Sequence, residues 1–554
     1  MKNKFSKTKI IILLLISLSV IFISFKVLDD DDDFNIAKNF EIYHSVVRDI
    51  NLYYVDDVNL SSLIEESIKE FLNKLDPYTV YYPESEIENY TFMTTGAYGG
   101  IGAMISDNGE ELIVREIYKN SPSQKSGLLT GDKIISINDN IVTKKNIFEL
   151  KELIKGEPGS ELNLKIKRYK QDNYIEIKVI REKIQIENVI LSRRLNNNIG
   201  YIKLTSFKAN SASEFETSLK KLNDSLKLEG LIIDLRDNPG GLLNEAVSIV
   251  NLFVEKGETV VTTKGKVKTW NTIFKTTKNA YLIDIPIVVL VNNSSASASE
   301  IVAGALQDLD RAVVIGDRTY GKGLVQITRD LAYNSKIKIT TAKYYIPSGR
   351  CIQILDYSHR NPDGSVGIVP DSLISEFTTK GGRKVYDGGG IIPDIKLEKN
   401  SNSLLLKNLI YKNIIFDFCT KYYFENINIK PNFDFKVSEA LFTEFINYAI
   451  TNKFTYKSNV CSNFENIINS AEKEGYSESE VVKIKNLKNE FSPNIKEELV
   501  KNKTEISNII QSEIILRYYF FEQKLIFDLY NDNAVSQSET LLTDNIKYKK
   551  ILNK

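Results

Sequence analysis

Cysteine is scarce in this chain of 554 residues. The three present, Cys351, Cys419 and Cys461, are too few and too scattered for a disulfide framework or a cysteine-based metal centre. An excess of either charge is also missing, since 72 Lys and Arg balance 72 Asp and Glu. A chain without a basic balance has no electrostatic footprint for nucleic acid, so no nucleic-acid partner is expected. Long apolar runs are missing beyond the N-terminus, so no second segment is expected to span a membrane. Neither a metal nor a cofactor is expected. What is present is length enough for three or four domains.

The N-terminal exception is an export signal. Lys2, Lys4, Lys7 and Lys9 precede the apolar run 10–25, and the acidic run 29–33 follows it. Positive charge before and acid after orients the first residues to the cytoplasm and the rest outside. The run is short for a span of roughly 20 residues, but Val27 and Leu28 extend it if Lys26 snorkels. With no A-x-A cleavage pattern, residues 1–9 are expected in the cytoplasm and 10–28 as an uncleaved anchor. The body would then sit on the periplasmic side of the inner membrane. The alternative is a periplasmic or secreted protein after signal cleavage.

The chain is organised around residues 286–326. Positions 287–291 are apolar and β-branched without polar alternation, as in a strand buried on both faces. From Ser299 the apolar residues Ile301, Val302, Ala305 and Leu306 fall at helical spacing. Ser294, Ser295, Ser297 and Ser299 lie between the two elements. A serine on such a turn has an exposed hydroxyl beside helix N-terminal amides that can stabilise an oxyanion. It needs a base. The chain has two histidines, His44 and His359, and neither is near in sequence, which excludes nothing because such sites assemble in space. Lys322, between Gly321 and Gly323, is the alternative. Lowering a lysine pKa from about 10.4 to about 7 costs roughly 4–5 kcal/mol, so that site must be partly desolvated. A phosphate loop beginning at Gly316 fails, because Gly323 replaces the hydroxyl residue and a strand pattern follows.

The phrases S-A-S-A-S-E at 295–300 and G-K-G-x-x-Q at 321–326 closely resemble the carboxyl-terminal processing proteases, the S41 serine peptidases. The resemblance implies that Ser297 is the nucleophile, Lys322 the general base and Gln326 the residue that positions the lysine. The phrase D-L-R-x-N-P-G-G at 234–241 matches the same family. There the amides of Gly240 and of Ala298, next after the nucleophile, would form the oxyanion hole. The implied fold is α/β with a ClpP/crotonase-like core, which agrees with the strand–helix–strand–helix order of the region.

Residues 99–104, 121–128 and 131–138 resemble a PDZ domain, with a small residue, Ser126, where alanine is usual. Backbone N–H groups at Gly100, Ile101 and Gly102 would bind a substrate's terminal carboxylate while the peptide adds a strand. Residues 40–75 read as two helices ending at L-D-P-Y, a phrase the family shares and a region that there commonly mediates dimer contacts. Residues 401–554 read as a helical extension without a catalytic constellation. The expected division is a helical region 29–95, a PDZ domain 96–184, a peptidase core 185–400 and a C-terminal helical domain 401–554. The expected function is an exported serine endopeptidase acting on proteins or peptides recognised by free C-termini, assembled as a homodimer or higher oligomer. A PDZ scaffold on a retired protease fold and a crotonase-like acyl-CoA enzyme are the competing readings.

Overall fold

The computed structural model describes residues 31–361, 365–397 and 403–554. The expected cytoplasmic start and anchor, 1–28, lie outside the described residues. Among those described, no helix is long and apolar enough to cross a membrane. The chain divides into two compact units that meet in sequence at Pro83 and Glu84.

The smaller unit carries the expected helix pair, α1 (Asp31–Tyr53) and α2 (Leu60–Asn73). Asn59 caps α2 by accepting from the Ser62 N–H. After α2, Asp76 accepts from the N–H groups of Tyr78 and Thr79, which closes the turn at Pro77.

The larger unit begins with α3 (Ile87–Thr95) and β1 (Ala97–Gly100). An antiparallel sheet follows in the order β2 (Ala103–Asp107), β3 (Leu112–Ile117), β4 (Lys133–Ile137), β5 (Glu161–Lys167) and β6 (Ile175–Ile180), with α4 (Ile147–Glu152) before β5. Leu112, Val114, Leu162, Leu164 and Ile166 alternate inward to form its own core. β7 (Glu182–Gln185) pairs back onto β1, so entry to and exit from this domain are one ribbon.

The central sheet runs β8 (Val189–Arg194), β9 (Ile199–Leu204), β10 (Gly230–Asp234), β13 (Ile287–Val291), β14 (Val313–Gly316) and β17 (Ile395–Lys396). Only the first pair is antiparallel. The helices α5 (Ser211–Ser225), α6 (Leu243–Asn251) and α7 (Ala298–Asp308) cover one face. A second, antiparallel sheet joins β11 (Thr259–Gly265) to β12 (Thr272–Lys275) and to β16 (Lys336–Tyr345), which pairs with β15 (Leu324–Asp330).

The C-terminal helices are α8 (Leu404–Tyr411), α9 (Ile414–Glu425), α10 (Glu439–Thr451), α11 (Asn459–Glu474), α12 (Glu478–Glu490), α13 (Ile495–Lys501), α14 (Lys503–Tyr530), α15 (Asn533–Thr543) and α16 (Asn545–Ile551). They are not one appended body. Leu405, Phe418, Phe445 and Ile510 belong to a separate core, whereas Leu541, Leu542 and Tyr548 pack on Ile232, Val288 and Leu290 of the central sheet. Period-2 alternation explains the split of the strand. Ile287, Val289 and Val291 face α5–α7, and Val288 and Leu290 face the last helices. The strand is buried on both faces as expected, but its second cover comes from the far end of the chain.

Candidate active site

β13 runs through a short turn into α7, and Ser297 stands at the helix N-cap with φ 54° and ψ −114°. A β-carbon in this region is strained by about 1–3 kcal/mol, a cost that persists only where packing enforces it. Two of the neighbouring serines are spent on structure. Ser295 Oγ donates to the Leu235 carbonyl at 2.8 Å and Ser299 Oγ to the Asn238 carbonyl at 2.9 Å, and both are fully buried. Ser297 remains half-buried. Its turn lies directly on the 236–241 turn. A β-carbon at Gly240 would stand 2.5 Å from the Ala296 oxygen and 2.8 Å from both Ala298 N and Ser297 Cβ, so only glycine fits.

One buried carboxylate ties the Ser297 turn to the lysine loop. Glu300 Oε2 accepts from the N–H of Ser297 at 2.9 Å and from the N–H of Lys322 at 2.9 Å. Its Oε1 accepts from Thr319 Oγ1 at 2.6 Å and from the Gly321 N–H at 2.8 Å. Glu300 has no exposed surface, and burial pushes its pKa up to about 7 against these four bonds. The sequence motif gives Glu300 no role beyond closing S-A-S-A-S-E. Its signal was there, because Ser297 followed by Glu300 is the S-x-x-E spacing of a capping box. That it also reaches Thr319, Gly321 and Lys322 is a tertiary fact.

The lysine loop is held close by its glycines. A β-carbon at Gly321 would meet Ile354 at 2.7 Å, and one at Gly323 would meet Gln353 N at 2.8 Å. The Gly323 N–H donates to Gln353 Oε1 at 2.7 Å. Gln326, on β15, donates from Nε2 to Thr340 Oγ1 on β16 at 3.1 Å. The structure thus brings Ser297, Ala298, Gly240 and the Lys322 backbone together, and places Gln326 on the strand that follows the lysine.

The amide of Gly240 is engaged. It donates to Asn238 Oδ1 at 2.9 Å, while Asn238 Nδ2 donates to the Leu204 carbonyl at 2.8 Å. It can serve an oxyanion only by exchanging that bond. Gly241 is exposed, and its N–H has no acceptor among the described residues. Beside these turns lies a mainly apolar cleft of about 440 Å³, reaching from Leu242 past Trp270 and Phe274 to Val325 and Ile327.

At the other candidate site, Gly102 takes φ 69°, and a β-carbon there would stand 2.5 Å from Ser121 Cβ. The Ile101 carbonyl accepts from the N–H and hydroxyl of Ser123, which fixes the loop formed by Gly100, Ile101 and Gly102. A cleft of about 230 Å³ opens between β2, at Ala103 and Ile105, and the α4 side, at Lys151 and Lys155. Phe92, Tyr98 and Ile186, from α3 and the β1–β7 ribbon, also line it. Among the described residues, no cluster of His, Cys, Asp and Glu could hold a metal ion.

The model of peptidase family S41 matches residues 198–372, a span that contains the Ser297 turn and the Lys322 loop. A carboxy-terminal-processing protease of Bartonella bacilliformis is 33% identical over 345 residues, covering 62% of this chain and 76% of that protein. The chain belongs to the S41 family of serine peptidases. A probable CtpA-like serine protease of Staphylococcus epidermidis is also 33% identical, over 67% of this chain and 72% of its own. The PDZ domain model matches residues 99–179, and that of the C-terminal helical domain of probable PDZ-proteases matches 405–542. This S41 member is therefore a carboxy-terminal-processing serine protease with a PDZ domain and a C-terminal helical domain. Among solved structures, a photosystem II D1 C-terminal processing protease is 24% identical, with a TM-score of 0.34 over 64% of this chain and 86% of that one.

Proposed function

We propose that Ser297 and Lys322 form the catalytic dyad of an exported endopeptidase. The observation that carries this reading is the shared carboxylate of Glu300, which fixes both residues' backbones at one oxygen. Ser297 Oγ attacks the scissile carbonyl carbon as the Lys322 amine takes the hydroxyl proton. The Ala298 N–H, the first amide of α7, faces the developing oxyanion, and a glycine amide of the 240–241 pair supplies the second donor. The lysine then gives its proton to the leaving amine, and water releases the acyl group by the same steps in reverse. Gln326 steadies the lysine's strand through Thr340. The cleft from Leu242 to Val325 suits an apolar substrate side chain.

The PDZ domain binds the substrate's free C-terminus at Gly100, Ile101 and Gly102. The N-terminal apolar run exports the body, which is held at the inner membrane with its catalytic side in the periplasm, or released there by signal cleavage. α1 leaves Phe34 and Phe40 each 69% exposed, a surface suited to a second copy of the chain. The test is cleavage of a flexible protein with a free C-terminus by the full chain beside its Ser297→Ala variant. Cleavage by the first alone supports the reading, and equal cleavage by both overturns it.

A further inference from the structure

The 236–241 turn is anchored from the C-terminal helices. Arg236 grips Asp234 with two bonds, Nε to Oδ1 at 2.9 Å and Nη2 to Oδ2 at 2.6 Å. The same Nη2 also meets Asp532 Oδ2 at 2.6 Å. Asp234 is fully buried and takes the Tyr201 hydroxyl at 2.7 Å and Lys203 Nζ at 3.3 Å as well. Burial opposes its charge, yet Arg236 and Lys203 hold it well below the usual carboxylate range. Two cations thus share one buried carboxylate, and Asp532 supplies the second negative charge that neutralises the group.

Asp532 stands at the N-cap of α15, where its Oδ1 accepts from the N–H groups of Ala534 and Val535. Its place is set by the packing of Leu541, Leu542 and Tyr548 on the central sheet. From Arg236 the connection to the nucleophile is short. The Asp237 N–H donates to Asn292 Oδ1 at 3.0 Å, the Asn238 carbonyl accepts from the Ala296 N–H at 3.0 Å, and Gly240 touches Ser297.

We infer that the C-terminal helical region is part of the catalytic apparatus. Asp532 is a positioning residue that holds Arg236, and through it the 236–241 turn, in register with the nucleophile's turn. The inference rests on Ser297 being the nucleophile.

Asp532→Asn separates positioning from helix capping. Asparagine still caps α15 through Oδ1, but its Nδ2 replaces the oxygen that Arg236 uses. In the full chain, kcat should fall roughly tenfold or more with KM within about twofold, as loss of a charge-assisted bond implies. The rate at which a fluorophosphonate labels Ser297 should fall in parallel, and the melting temperature should change little. In an Arg236→Gln background, Asp532→Asn should cause no further loss. Wild-type labelling and turnover by Asp532→Asn would overturn the inference, as would a full additional loss in the Arg236→Gln background. If Asp532→Asn does not fold, Asp532→Ser, which also caps, is measured by the same assays. Ser297→Ala keeps the two readings apart: labelling or cleavage surviving in that variant refutes the nucleophile, not the anchor.

Discussion

Two buried glutamates lie in different regions of this peptidase, and burial pushes the pKa of each up to about 7. Glu300, at the Ser297 turn, is surrounded by four hydrogen-bond donors. Glu116, on β3 of the PDZ domain, faces α14, where Lys524 favours its charge and Glu513 opposes it. Burial and these charges, and no hydrogen bond, set its ionisation. Directional bonds specify where atoms sit, whereas charges without them decide only whether two surfaces stay together. The Ser297 turn is therefore built for position and the PDZ–helix contact for adjustable docking. Next to Glu116, Arg115 stacks 4.0 Å from the Phe416 ring and bonds Asn413, which keeps the contact in one register.

The sharpest test of the catalytic side compares its serines. Ser297→Ala should lower kcat/KM by at least about a thousandfold, as loss of a nucleophile does. Ser299→Ala removes one buried hydrogen bond and should cost about 1 kcal/mol of stability, and Ser295→Ala, which also loses the bond from the Asn292 N–H, should cost more, while cleavage persists in both. Thermal melts beside peptide cleavage assays would separate the two effects.

Next in size is Glu300→Gln. The amide nitrogen it introduces faces two donors, which should cost about 2–4 kcal/mol and lower kcat by roughly a hundredfold. Kinetics at fixed saturation would check this.

The pH behaviour of Glu300 sharpens the comparison further. Its folded-state pKa lies above the ordinary 4.5, so the folded chain keeps a proton that the unfolded chain releases between those values. Its contribution to stability should therefore fall as pH rises from about 4.5 to about 7 and level off above. Activity should rise through about 7, because only the carboxylate accepts all four bonds. Melting and turnover would thus move in opposite directions with pH, and Glu300→Gln should remove the melting trend while leaving the rise in turnover that deprotonation of Lys322 requires.

The smallest effect belongs to Glu116. Ionising it as pH climbs through about 7 places a charge in a desolvated contact, a cost that Lys524 offsets only in part and Glu513 adds to, so the PDZ–helix docking should loosen. Hydrogen exchange of the β3 amides should quicken over that range in the wild type and stay flat in Glu116→Gln. An equal pH response in both would remove the adjustable character assigned to this contact.

By itself the sequence determined the elements and their chemistry. Its period-2 and helical patterns marked β13 and α7, its glycines marked the close approaches at 240, 321 and 323, and its motifs marked the peptidase and PDZ regions. These are local properties, legible because backbone sterics and side-chain periodicity act within a few residues. Tertiary structure decided that Ser295 and Ser299 are occupied by carbonyls more than 50 residues away. It also decided that Glu300 joins two segments, and that the last helices complete the sandwich around β13. Those outcomes depend on which groups meet across the fold, and a buried donor or acceptor takes its partner from whatever packing brings within reach.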